Sequence, residues 1–260
     1  MRWLPRPQTQ PDSGFTLIEV IIVVVIIGIL AAIAAPSWLG FMRQRRVNAV
    51  NDAIYQAIEQ AKNRAQTEKM SYSVGFRSVE GLPQIAVYPA SLNVPADGGT
   101  TLNDEERAAM NSAWEANKLD SGVNLRSYEV IMATNLVGEN DIEDTGYDFA
   151  NSGKKLTTIP DTIAPNDDQT LIDQLPIHRI TFDLTGTISN TPDLSTATYT
   201  PESGAVMVAG VPDDANDLNA VAADTEPVLG TVRCVLTGTL IGGLKVGRNP
   251  SDCSKLVAGE

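Results

Sequence analysis

From Phe15 to Ala35 the residues are almost uninterruptedly apolar, and Glu19 is the one charge among them. As a helix, such a run spans the roughly 30 Å hydrocarbon core of a bilayer. A carboxylate inside it costs several kcal/mol by order of magnitude unless it finds a partner, which marks Glu19 as functional. The bland reading is a glutamate shallow enough to reach headgroup water. After Pro36, a residue that kinks helices by removing a backbone donor, Trp38 and Phe41 mark the exit from the run. Val47, Val50, Ile54, Ala57, Ile58, Ala61 and Ala65 then recur at helical spacing. The pattern predicts an amphipathic continuation over 37–69 whose apolar stripe needs a sheet to cover it. Joined, the two halves form one helix from Phe15 to about Glu68, about 80 Å long at a rise of about 1.5 Å per residue.

Beyond the helix the period changes. Tyr72 to Phe76 and Gln84 to Tyr88 alternate like strands around a Glu80-Gly81-Leu82-Pro83 turn, which predicts a hairpin. A short helix follows, with Asn103 as its cap and Glu106 three residues on as in a capping box. Met110, Ala113 and Trp114 then face the body of the head. Ser127 to Ala133 reads as a strand. Gly138 to Ile172 is polar and Asp-rich, and the stretch 90–175 reads as an insertion in a β-rich head covering 70–260. In Arg179 to Leu184, alternation places Ile180, Phe182 and Leu184 on one face, and Thr185-Gly186 turns the chain into Thr187 to Ser189. Ala205 to Ala209, Thr231 to Thr237 and Thr239 to Val246 continue the strand pattern. The predicted class is α+β: a long N-terminal helix packed on an antiparallel head.

The residues at the start of the apolar run carry a family resemblance. A polar leader, 1–14, ends in Gly14; Phe15 follows, Glu19 is the fifth residue after the glycine, and about twenty apolar residues lead to Pro36. This resembles the N-terminus of type IV pilins and type II secretion pseudopilins. The resemblance implies cleavage between Gly14 and Phe15 by a prepilin peptidase, N-methylation of Phe15, and assembly with other pilin or pseudopilin subunits through the helix 15–36. It also implies an inner-membrane assembly platform and membrane lipid as partners before assembly, with the head in the periplasm. A second, sparser resemblance rests on the Ile180-Thr-Phe-Asp-x-x-Gly186 unit and the Arg233-Cys234-Val235 strand. It is to the GspH/FimT-like minor pilins and pseudopilins, and the two resemblances together imply a structural subunit, a minor pilin, of a type IV pilus-like filament, with a type II secretion pseudopilin of the GspH type and a DNA-binding minor pilin for DNA uptake as the alternatives.

Charge and cysteines bear on the compartment. Arg2 and Arg6 precede the apolar run, and Arg43, Arg45 and Arg46 follow it, so a charge count alone tilts the head towards the cytoplasm. The pilin resemblance implies the opposite. The formal net charge is -13, which favours solubility and disfavours nonspecific attraction to nucleic acid or anionic lipid. Cys234 and Cys253 are the only cysteines. Paired, they close a loop of about 20 residues, an effect of roughly 3 kcal/mol, and a structural disulfide persists in an oxidising compartment. Two free buried thiols are the alternative. On the Thr231 strand, Val232, Cys234 and Leu236 share a face, so Cys234 is expected to point to the core. A cleaved secretory signal is a competing reading of Ala32-Ile33-Ala34, but the run is longer than such signals and holds Glu19.

Catalytic and metal patterns are weak. His178 is the single histidine, with no serine or cysteine motif beside it, and reads as a structural residue. Asn151-Ser152-Gly153-Lys154 lacks the glycine and hydroxyl of a phosphate loop. Asp141, Glu143, Thr145 and Gly146 match a calcium loop whose twelfth position is Ser152 instead of glutamate. No enzyme, metal or cofactor is therefore expected. Arg233, Lys245 and Arg248, with Lys255, form a small cationic group. Members of the FimT-like branch include DNA-capturing subunits with a basic C-terminal region, so these residues are the candidate DNA contacts. The competing reading is a solvated face, because so few cations release few counterions.

Overall fold

The computed structural model of the chain describes residues 15–93, 102–116, 125–134, 136, 157–159, 161–162, 178–188, 205–212, 229–237 and 242–258. The chain divides into two compact units, Met1–Met42 and Arg43–Glu260. Helix α1, Leu17–Glu68, is continuous through Pro36. Lys69 ends it in the left-handed region, at φ 56°, the backbone state that commonly closes helices.

In the second unit the α1 stripe does what its spacing predicts. Val47, Val50, Ile54, Ala57, Ile58, Ala61 and Ala65 are all buried and join one core with residues from two sheets. In the first sheet, β1 (Tyr72–Val79) pairs antiparallel with β2 (Leu82–Pro89) through a two-residue turn, Glu80-Gly81. Both turn residues have positive φ, 54° and 74°, the conformation whose twist matches a hairpin. The turn is thus shorter than the four-residue one predicted, and Leu82 and Pro83 lie in β2. Pro83 is tolerated because β2 is an edge strand. On the other side of β1 run β6 (His178–Phe182), antiparallel, and a two-residue parallel partner, β5 (Asp161–Thr162).

The second sheet has the order β4-β3-β7-β8-β9 and is antiparallel throughout. Its strands are β3 (Ile131–Thr134), β4 (Thr157–Thr158), β7 (Ala205–Pro212), β8 (Leu229–Thr237) and β9 (Leu244–Gly247). Of the stretch 90–175, β3 is an interior strand of this sheet. Helix α2 (Asp104–Ala116) lies on β2. Its capping box forms as predicted: Asn103 Oδ1 accepts from Glu106 N at 2.9 Å, and Asn103 N donates to Glu106 Oε2 at 2.9 Å. Met110 and Trp114 are buried in a satellite cluster with Ala86 and Tyr88, and the Arg77 guanidinium sits 4.0 Å from the centre of the Trp114 ring.

Three expected details differ. Ser127 to Val130 is a turn, not strand: Glu129 accepts from Arg126 N at 3.1 Å and pairs with Arg46 on α1, while Tyr128 takes φ 60°. β6 stops at Phe182, so Leu184 leaves the shared face and is 51% exposed. Asp183 causes the stop by accepting from the backbone and hydroxyl groups of Thr185 and Thr187 at 2.6 to 3.0 Å. Burial alone raises the Asp183 pKa, but those hydrogen bonds outweigh it and hold the carboxyl below the usual range. Gln66 of α1 donates to Thr185 O at 2.9 Å and ties the turn to the helix.

The third concerns Cys234. Val235 belongs to the core beneath α1, so strand alternation turns Cys234 to the opposite side of β8. It is fully buried there because a C-terminal helix, α3 (Pro250–Ala258), covers it.

Candidate functional site

Two places carry most of the chemistry singled out by sequence. At the first, Gly14 lies outside the described residues, and Phe15 is the first of them, 82% exposed. Thr16 starts α1 as a cap: Glu19 N donates to Thr16 O at 3.1 Å and lies 3.4 Å from Thr16 Oγ1. Thr16 and Glu19 stand in the spacing of a capping box, and a carboxylate in the first turn also favours the helix dipole. The spacing is legible in the sequence, and the hydrogen bonds at this helix start run through the Glu19 backbone N–H.

From Leu17 to Leu30 the large apolar side chains on every face of α1 are about half exposed or more. Monomeric soluble proteins rarely expose so large a contiguous apolar surface, and such a surface marks an interaction site. Trp38 and Phe41 are exposed too, their ring centroids 6.1 Å apart. Among the described residues no helix is long and apolar enough to cross a membrane. The described side chains of the run stop at Ala32; those of 33–37, Pro36 included, lie outside the described set.

At the second place, Cys234 and Cys253 form a disulfide, with Cα atoms 5.9 Å apart. Helix α3 was not foreseen, although its start is written in Asn249-Pro250-Ser251-Asp252. Asn249 Oδ1 accepts from Asp252 N at 2.8 Å, and Pro250 occupies the first helical position, where its missing N–H costs nothing. Gly247, opposite Cys234 in the β8–β9 pairing, leaves room for the bridge. A Cβ there would lie 2.5 Å from Cys234 Sγ and 2.7 Å from Cys253 Sγ. We expect Gly247→Ala to lower thermal stability by roughly 1–3 kcal/mol, the usual cost of overpacking a filled site; an unchanged melting temperature with the disulfide still formed would contradict this packing.

The cationic group does not assemble as one surface. In the antiparallel register Lys245 is opposite Leu236 and Val246 is opposite Val235. Arg233 and Val246 therefore share the face towards α1, whereas Lys245 stands on the face of Cys234. Arg233 and Arg248 line a groove against α1 with Asn51, Asp52 and Tyr55. Lys245 and Lys255 are exposed elsewhere.

His178 is buried on β6, and its Nδ1 lies 2.6 Å from Leu136 O. Because a carbonyl only accepts, Nδ1 carries the proton, and burial lowers the pKa so that the ring stays neutral. It pins β6 to the chain after β3. The calcium-like stretch from Asp141 to Ser152 and the turn at Asn151 to Lys155 lie outside the described residues.

A family model described as the prokaryotic N-terminal methylation motif matches residues 10–35. Three curated relatives are each named type II secretion system core protein G. That of Pectobacterium carotovorum is 32% identical over 89 residues, covering 34% of this chain and 56% of the relative. That of Pseudomonas aeruginosa is 36% identical over 75 residues, 29% of this chain and 52% of the relative. That of Aeromonas hydrophila is 33% identical over 96 residues, 35% of this chain and 64% of the relative. The chain thus spans between 52% and 64% of these relatives' lengths. No solved structure matches. The chain carries the prokaryotic N-terminal methylation motif ahead of a pilin-like α+β fold, and it is similar to the type II secretion pseudopilins called core protein G.

Proposed function

We propose that this chain is a structural subunit, not an enzyme, of a pilin-like filament. A prepilin peptidase cuts between Gly14 and Phe15, and Phe15 is then N-methylated. The subunit waits in the inner membrane through the helix 15–36 with its head in the periplasm, next to an assembly platform, and enters the filament with that helix in the core. One observation carries this reading: the methylation motif at 10–35 coincides with a helix whose apolar side chains are exposed on every face. The disulfide adds support for an oxidising compartment.

Between secretion and surface piliation, the names of the relatives favour a type II secretion pseudopilin, whose filament would push exported protein. A minor pilin of a type IV pilus-like filament is the competing placement. A DNA-uptake role draws on Arg233, Lys245 and Arg248 alone, and the opposed faces of Arg233 and Lys245 weaken it. Deleting the gene should abolish export of secreted proteins and leave surface pili in place. Loss of pili with export intact would move the subunit to a type IV pilus.

A further inference from the structure

The two sheets of the head meet at a group that can take up a proton. His178 is the first residue of β6 in the first sheet, and Leu136 follows β3 of the second. Both are buried, and His178 Nδ1 donates to Leu136 O across 2.6 Å. The other ring nitrogen, Nε2, is also buried and has no hydrogen-bond partner among the described residues. In the neutral ring this leaves one acceptor unfilled. With a proton on Nε2 the site would hold a cation and a donor N–H with nothing to receive it, which is far more costly.

Among the described residues nothing around the ring is placed to hold that charge. On β6 the face of His178 continues with Ile180 and Phe182, and β1 sets Phe76 directly opposite it. Leu136 and the α1 stripe belong to the same apolar core, and β3 carries no titratable residue. Arg179 on β6 and Arg77 on β1 fall on the other face of the sheet by alternation, where Arg77 lies over the Trp114 ring. Glu129, ahead of β3, is paired with Arg46. Burial pushes the histidine towards its neutral form, and the Leu136 carbonyl opposes this only in part.

We propose that His178 is an acid-sensitive latch between the two sheets: proton uptake by the ring frees β6 from Leu136 and opens the head along that seam. Because Nε2 is sealed, the proton enters while the seam is open, and the cation then keeps it from closing. A site that disfavours the charged ring contributes its stability in full above the ordinary histidine value of about 6.5 and loses it as pH falls below that value. The far edge of the second sheet is fastened differently, since the Cys234–Cys253 bridge holds α3 to β8 and does not titrate. Acid therefore loosens the His178 seam and leaves the α3 end closed. The latch goes beyond the filament reading and operates in the unassembled subunit as well.

The test uses the full-length chain, without a histidine tag, in detergent micelles. His178 is the only histidine, so NMR of the imidazole in the wild-type chain reads its charge without any variant. The ring should stay neutral as the pH is lowered through about 6.5, and a ring that titrates there or higher would overturn the proposal. Deuterium exchange, corrected for the intrinsic pH dependence of amide exchange, is then followed from about pH 7.5 to about pH 5.5, the range in which histidine charge changes. Opening of β6 should rise by up to about tenfold per pH unit below about 6.5, while α3 keeps its protection. His178→Asn retains an amide donor near the position of Nδ1 but cannot titrate, so its β6 opening should not respond to pH. No rise in the wild type, an equal rise in His178→Asn, or a loss of protection spread evenly over β6 and α3 would each overturn the latch. Should His178→Asn fail to fold, the imidazole titration and the wild-type exchange pattern still decide.

Discussion

Glu19→Ala should yield a chain that is inserted and cleaved but largely missing from filaments. On the proposed reading, cleavage after Gly14 would create a positively charged amine at Phe15, and in a filament core the carboxylate of one subunit would meet the amine of its neighbour. In that low-dielectric setting, removing one member of the pair strands the other charge, at a cost of about 3–5 kcal/mol. Even part of that cost lowers incorporation by about tenfold or more, since about 1.4 kcal/mol is a factor of ten. A rival explanation is local, because Thr16 and Glu19 have the spacing of a capping box at the start of α1, where the Glu19 N–H faces Thr16. Glu19→Gln separates the two: glutamine serves in a capping box but carries no charge. We expect Glu19→Gln to be excluded as Glu19→Ala is, measured as the fraction of processed chain recovered in sheared filaments. Wild-type incorporation of the glutamine variant would reduce Glu19 to a helix cap.

Replacing Cys234 and Cys253 together by serine should lower stability by roughly 3 kcal/mol, as expected for a bridge spanning 19 residues. For a head of this size that corresponds to a melting temperature about 6–12 °C lower. The effect should begin at the C-terminus, because the bridge holds α3 against β8 and β9. Without it, α3 keeps the Asn249 and Asp252 cap but is too short to persist alone. Limited proteolysis should therefore clip the double variant near α3 well below its global melting temperature. Alkylation of both thiols in native, unreduced protein would show that the bridge is not formed, and the support it lends to a periplasmic head would go with it.

Where one physical rule governs a segment, the sequence was enough to place it. The α1 stripe from Val47 to Ala65 follows from a period of 3.6, and Asn103 with Glu106 follows from two unsatisfied backbone donors at a helix start. Reading failed where a side chain overrides the period. Leu184 keeps the alternation of β6 on paper, but Asp183 takes the Thr185 and Thr187 donors and bends the chain before Leu184 can follow. The start of β3 was misplaced because Glu129 binds the Arg126 backbone and Arg46, a partner 83 residues away in sequence. For Cys234, alternation tells which residues share a face and not what covers it; α3 was the missing cover. Asn51 was passed over within an apolar stripe, although a polar residue at a buried helical position is itself a signal.

Cleavage and methylation are the events on which the whole account turns, and the intact mass of the chain extracted from membranes reports both. A single mature species that begins at N-methylated Phe15 and carries one disulfide is expected. A mature chain that begins after Ala34 or Ala35 would contradict it, because the apolar helix would then have been discarded as a secretory signal and could hold neither a membrane nor a filament together.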